Sequence, residues 1–292
     1  MSAYHIAATY SFFPIDDPAL HQEAIRSEAA RLDIRGIFVL APEGLNTTCA
    51  APSRPALDAW IGFLQQHFQI RLDCKYSQSA RRPFKRLAFK LRPEICTTGN
   101  TRLEVDNSQN HHLDPAQWDT MLDDPDSVVI DTRNHYEYEL GSFRGAINPR
   151  TDSFREFFDK VEEMDIPRDR NIMIFCTGGI RCHKGIVELQ RRGYHNVWQL
   201  QGGILRYLEE RPAGSFQGDC FVFDHRVAVG PDLLPVPGLG LCVHCGNPAR
   251  EQVPCVRGDG SGYVCTDCQR DPVRGSTCSK DCANKHAASL PA

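Results

Sequence analysis

Apolar and polar positions change their spacing twice along the chain. Up to about residue 95, alternating or short apolar runs are interleaved with two stretches of helical period. YHIAATYSFF (4–13), IRGIFVLA (34–41), TTCAAP (47–52), IRLDCKYS (70–77) and KRLAFKLR (85–92) read as strands, with PEGLN (42–46) as a turn. Asp16 or Asp17 caps one helix, with Pro18 in its first turn. Ser53 caps a second, in which Leu57, Ile61 and Leu64 share a face. The order β-α-β-β-α-β with an extra strand predicts a ferredoxin-like α/β sandwich over 1–95. Residues 96–112 are polar, lack a period and predict a linker. Over 113–213, strands SVVID (127–131), NIMIF (171–175) and NVWQLQ (196–201) alternate with helices, the first capped by Asp114 with Pro115 behind it. That alternation predicts a parallel sheet with crossover helices, and NIMIF, apolar after its first residue, predicts burial on both faces. Residues 214–240 hold one more strand, CFVFDHRVAV (220–229), and a Pro/Gly linker; 241–292 form a cysteine-rich tail. The whole is an α/β multidomain chain.

A length of 292 residues suits two or three domains. The net charge of −4 excludes a generally basic nucleic-acid binder, so any such surface is local, and DNA is not an expected partner. The opening MSAYHIAATYSFFPIDD has neither a basic n-region nor a long apolar core. No signal peptide or membrane span is expected, and a cytoplasmic location follows as the default. The thirteen cysteines then read as thiols or metal ligands before disulfides.

CTGGIR (176–181) joins a buried strand to a helix. Gly178 and Gly179 allow a tight cradle whose N–H groups, with the positive end of the new helix, face inward. This field lowers a thiol pKa, which makes Cys176 the candidate nucleophile, with Arg181 adding charge at the rim. Thr177 and Ile180 complete the loop. Cys182 has two open readings, a small packing residue or a resolving thiol. Asp131 and Arg133 lie past a strand end, where Arg133 is expected to pair with Glu137 or Glu139 and shape the site.

Three ordered segments, DTRNHYEYELGSFRGAINPR (131–150), CTGGIR and NVWQLQGGILRY (196–207), resemble those of rhodanese-like domains. The resemblance implies that Cys176 is the loop cysteine, which carries a persulfide in rhodaneses. A related phosphatase group has a loop one residue longer, which disfavours phosphate monoester chemistry here.

In RRPFKRLAFKLR (81–92), Leu87, Phe89 and Leu91 share one face and Arg86, Lys90 and Arg92 the other. With Arg81, Arg82 and Lys85 these cations suit RNA phosphates, and Phe84 suits stacking on a base. An ordinary solvated edge strand is the alternative. In the tail, Cys242-x-x-Cys245 and Cys265-x-x-Cys268 are separated by nineteen residues, the spacing of a structural Zn²⁺ site. Cys255, Cys278, Cys282 and His286 form a second candidate set, on one face if 278–286 is helical. A loosely ordered reduced tail is the other reading.

APEGLN (41–46), CTGGIRC, FVFDHR (221–226) and the cysteine tail together resemble the rhodanese-type tRNA uridine hydroxylases, over nearly the whole chain. That resemblance implies tRNA as partner, molecular oxygen as co-substrate and 5-hydroxyuridine at the wobble position as product. CHKG at 182–185 departs from the CEKA frequent in that family, leaving the role of His183 open. A thiosulfate or persulfide sulfurtransferase, and a tRNA-binding adaptor with a vestigial rhodanese site, are the alternatives. The sequence leaves oligomeric state open.

Overall fold

The computed structural model describes residues 3–105 and 111–290. Part of the expected linker, 106–110, and the first and last two residues lie outside the described residues. The first layer is a five-stranded sheet of β1 (Tyr4–Phe12), β2 (Arg35–Ala41), β3 (Gly44–Ala51), β4 (Lys75–Ser79) and β5 (Leu87–Leu91), in the order β4-β1-β3-β2-β5. Its first four strands follow the ferredoxin-like order, and β5 adds in parallel to the β2 edge. Helices α1 (Gln22–Arg31) and α2 (Arg54–Phe68) cover one face. Ser53 accepts the Ala56 N–H to start α2, whose Leu57, Trp60, Ile61 and Leu64 recur with helical period and pack on Phe38, Leu40 and Cys49 of the sheet. The opposite face, with Ile6, Ala8, Ile37 and Val39, is turned toward the second domain.

That domain is built on a parallel sheet, order β6-β10-β9-β7, of β6 (His112–Leu113), β7 (Ser127–Asp131), β9 (Asn171–Phe175) and β10 (Val197–Leu200). Helix α3 (Pro115–Leu122) begins in a capping box of Asp114 with Gln117. Strand β9 is buried on both sides. Met173 and Phe175 meet Trp118, Ile204 and Tyr207; Ile172 and Ile174 meet Phe157, Ile186 and Leu189. These last groups lie on α5 (Phe154–Glu163), α6 (Ile180–Arg191) and α7 (Gly203–Glu210). A four-residue helix, α4 (His135–Tyr138), and a strand β8 (Gly141–Phe143) paired with β11 (Phe216–Gly218) carry no sequence signal long enough to announce them.

Two expectations change. CFVFDHRVAV is not one strand but a hairpin of β12 (Cys220–Phe221) and β13 (Ala228–Val229). Asp224 accepts the Arg226 amide and guanidinium, which turns the chain back. The polar run after β5 is packed rather than free: Glu94, Ile95, Thr98 and Leu103 are buried, and Glu94 accepts from the Thr98 hydroxyl and the Thr98 and Gly99 N–H groups. The tail holds short hairpins around Val264 and Ala249, a core too small to stand without cross-links. No helix among the described residues is long and apolar enough to cross a membrane.

Candidate active site

Strand β9 ends at Phe175, so Cys176 emerges at the carboxyl edge of the parallel sheet. Gly179, at φ +98°, turns the loop into α6, and its N–H donates to the Cys176 Sγ at 3.1 Å. A second glycine allows the loop to be braced from behind. Gly203 sits at φ +67°, and a Cβ there would lie 2.5 Å from the Cys176 oxygen. With none present, the Ile204 N–H reaches that carbonyl at 3.0 Å and the Leu205 N–H reaches the Thr177 carbonyl. The paired glycines of NVWQLQGGILRY thus weld α7 to the loop.

Burial pushes the Cys176 thiol up. The Cys182 thiol, the Arg181 guanidinium and the Arg181 and Cys182 amides oppose it and bring the pKa down to about 5. Cys176 is a thiolate at neutral pH. Cys182 is fully buried, faces Thr132 at 3.7 Å, and is held well above the usual thiol range by burial and by its sulfur neighbour.

The charged groups are arranged differently from the sequence reading. Arg181 is not at the rim: it is nearly buried and makes a bidentate pair with the buried Glu137, at 2.7 and 2.8 Å. Glu137 is therefore unavailable to Arg133. Arg133 instead clasps Asp131 at 2.9 and 2.7 Å, both fully buried, and caps the Gly141 carbonyl at 2.6 Å. Asp131 and Arg133 hold the 131–143 segment behind the loop. Thr177 places its hydroxyl 3.4 Å from Glu137, and Ile180 packs on the cluster of Phe12, Ala41 and Ile95.

Cys176, Thr177, Gly178, Ile180 and Arg181 form one wall of a cavity of about 380 Å³. Its roof is the helix-free face of the first sheet, including Tyr10, Asn46 and Lys90, and its lip is the 220–229 hairpin with Phe223 and Arg226. The volume is in the range of small-molecule sites. The Arg226 guanidinium, paired with Asp224, also donates to the Ser77 hydroxyl at 2.8 Å and ties the hairpin to β4. His183 lies outside this cavity. Its ring meets Tyr10, Phe12 and His112 edge-on, its Nδ1 is 3.3 Å from the Tyr10 hydroxyl, and burial, with His112 and Lys75, lowers its pKa to about 4.

Of the six basic residues of 81–92, Lys90 lines the cavity, and Arg81, Arg82, Lys85, Arg86 and Arg92 lie exposed outside it. None of the six forms an ion pair among the described residues, and Arg82 rests against the Tyr4 ring. Phe84 is not available for stacking, because it is buried with Ile6 and Ala50; the exposed ring at the lip is Phe223, 49% accessible. Sequence reasoning gave no role to Tyr10, Asn46, Phe223 or Arg226. The motifs APEGLN and FVFDHR were the available signal for three of them.

In the tail the sulfurs of Cys242, Cys245, Cys265 and Cys268 lie within 4.8 Å of one another, as do those of Cys255, Cys278 and Cys282. His286 is not part of the second group: Cys278 precedes the Ser279 cap, so 278–286 is not one helix face. Four converging thiols fit a tetrahedral soft-metal site.

Residues 4–95 match the family described as UPF0176 acylphosphatase like domain, 114–210 the rhodanese-like domain and 217–283 the rhodanase C-terminal region. A protein of Bdellovibrio bacteriovorus named tRNA uridine(34) hydroxylase is 45% identical over 290 residues, 98% of this chain and 83% of that one. Proteins of the same name from Picosynechococcus and Teredinibacter turnerae are 41% and 40% identical. They cover 85% and 86% of this chain, and 84% and 79% of their own length is matched.

Proposed function

Because the chain belongs to the tRNA uridine(34) hydroxylase family, we propose that it converts the wobble uridine of tRNA to 5-hydroxyuridine in the cytoplasm, using molecular oxygen and the Cys176 thiolate. The observation that carries this reading is a thiolate in the wall of a roofed cavity of about 380 Å³ beside an exposed row of unpaired cations. The cations hold phosphates, and the uridine leaves its stack to reach the sulfur. The thiolate adds to C6 of the base and pushes its electron pair toward C5. One atom of dioxygen enters at C5 and the other leaves as water, while two molecules of a cellular thiol supply two electrons and two protons and become a disulfide. Loss of the C5 proton and rupture of the C6–S bond restore the ring and the thiolate. The cavity is larger than a sulfur donor such as thiosulfate needs, so sulfur transfer is the poorer fit.

The test is direct. Purified chain, incubated in air with a thiol and a tRNA transcript bearing U34, is expected to yield 5-hydroxyuridine at that position alone, read by mass spectrometry of nucleosides, and none under argon. Absence of product from folded protein in air would overturn the reading.

Structural Zn²⁺ is proposed for Cys242, Cys245, Cys265 and Cys268, whose four protein ligands leave no position for water; the metal would supply cross-linking rather than chemistry. The trio of Cys255, Cys278 and Cys282 is a second candidate. Elemental analysis of the purified chain is expected to find about one to two zinc ions, released by a thiol-blocking mercurial. A metal-free protein with an ordered tail counts against both sites.

A further inference from the structure

The turn APEGLN has no part in the chemistry above, yet it is built against the site. Glu43 accepts the Ile95 N–H at 2.7 Å and the Lys184 ammonium at 2.9 Å, which pins the turn to α6, the helix that Gly179 caps. Three residues on, Asn46 lies in register with Tyr10 on one side and Val39 on the other, and Val39 with Lys90. Tyr10, Asn46, Val39 and Lys90 thus form one row across four strands on the cavity face. At one end the Tyr10 hydroxyl rests on the reactive loop, 2.9 Å from where a Cβ on Gly179 would be. At the other, Lys90 stands on the edge strand beside the remaining cations.

The Asn46 amide nitrogen donates to the Ile95 carbonyl at 3.2 Å. That contact fixes which end of the carboxamide is which, and the oxygen has no partner among the described residues. The flanking side chains Val39, in its own row, and Ala8 and Ile37, in the next, are apolar. Thr48, on the next row, carries a hydroxyl that turns to donate or accept and therefore discriminates nothing.

We propose that Asn46 reads the N3–H of the flipped uracil through its side-chain oxygen. The inference rests on the hydroxylase reading. In a pyrimidine, C6 and N3 stand opposite each other across the ring. With one ring face of C6 presented to the Cys176 sulfur, N3 lies at the far side of the ring, within the same cavity that Asn46 lines. Uracil presents N–H there. Cytosine presents a lone pair, and two acceptors would face each other with no water between them. Lys90, at the open end of the row, holds a flanking phosphate.

The test uses tRNA transcripts with uridine or 3-methyluridine at position 34, and single-turnover formation of the 5-hydroxylated base by the wild-type chain and by Asn46→Ala. The wild-type rate is expected to fall about 30-fold on 3-methyluridine, and the variant about 30-fold on uridine with no further fall on the methylated base, because each change removes the same bond between the base N3–H and the Asn46 oxygen. Losses that multiply, or a folded variant as fast as wild type on uridine, overturn the assignment. Equal wild-type rates on the two substrates overturn it without any variant. A wild-type chain that makes no product on uridine overturns the hydroxylase reading itself, and this inference with it.

Discussion

A Cys176→Ser chain is expected to fold, to bind tRNA and to lose roughly a thousandfold or more in the single-turnover rate of 5-hydroxyuridine formation. The expectation follows from how the loop is tuned. Against burial, the Cys182 thiol, Arg181 and the loop amides bring the thiol to about 5, so that the proposed nucleophile exists at neutral pH without a separate base. A serine hydroxyl starts far above any pH the same field can bring it to, and keeps its proton. The proposed tRNA contacts, on the sheet edge and hairpin, are untouched by the change. The wild-type thiol has a second signature. Since its pKa is depressed, the thiolate persists above pH 5 and is lost as pH falls through 5. Alkylation of Cys176 by iodoacetamide is therefore expected to be half-maximal near pH 5 and level from about pH 7 upward. A midpoint near the ordinary thiol value of 9, or product from the serine chain, would remove the thiolate from the mechanism.

Replacing Lys184 with methionine should be costly in a different way. Lys184 is fully buried on α6, with its ammonium 2.9 Å from Glu43, 2.6 Å from Glu94 and 3.1 Å from the Cys96 carbonyl. Methionine fills much of the volume but leaves two carboxylates facing each other with no cation. Breaking a buried pair in this way costs about 3–5 kcal/mol. The expected result is a melting temperature several degrees lower, faster proteolysis in the 94–105 segment, and hydroxylation reduced at least about tenfold, because the sheet that roofs the cavity is no longer pinned to the loop. Burial raises the Glu94 pKa, but Lys184 and Thr98 hold it below the usual carboxylate range in the wild type, so the deficit should shrink as pH falls into that range. Unchanged melting and activity would mean that the two domains are held together by other contacts.

What the chain determined on its own was local. The period-two runs, the Ser53 and Asp114 caps, the alternation of strand and helix and the CTGGIR loop after an apolar strand are all set by neighbours within a few residues. They were legible for that reason, as was the convergence of the two Cys-x-x-Cys pairs. Charge partners were not. Arg181 and Glu137 are 44 residues apart, and Asp131 lies closer to Arg133 in sequence than the acids expected to hold it. Only the packed structure, in which a buried cation takes the acid that geometry offers, selects between them. Phe84 carried an aromatic signal suited to a base, but a sheet face decides which rings are spent on a core. CFVFDHRVAV read as one strand from its apolar and β-branched residues, and the Asp224–Arg226 clasp folds it into a hairpin instead. Around the cavity, Glu43 meets Lys184 across 141 residues of chain and Arg226 meets Ser77 across 149. Which distant surfaces close over a reactive atom depends on the summed packing of both domains, and no local stretch of sequence encodes it.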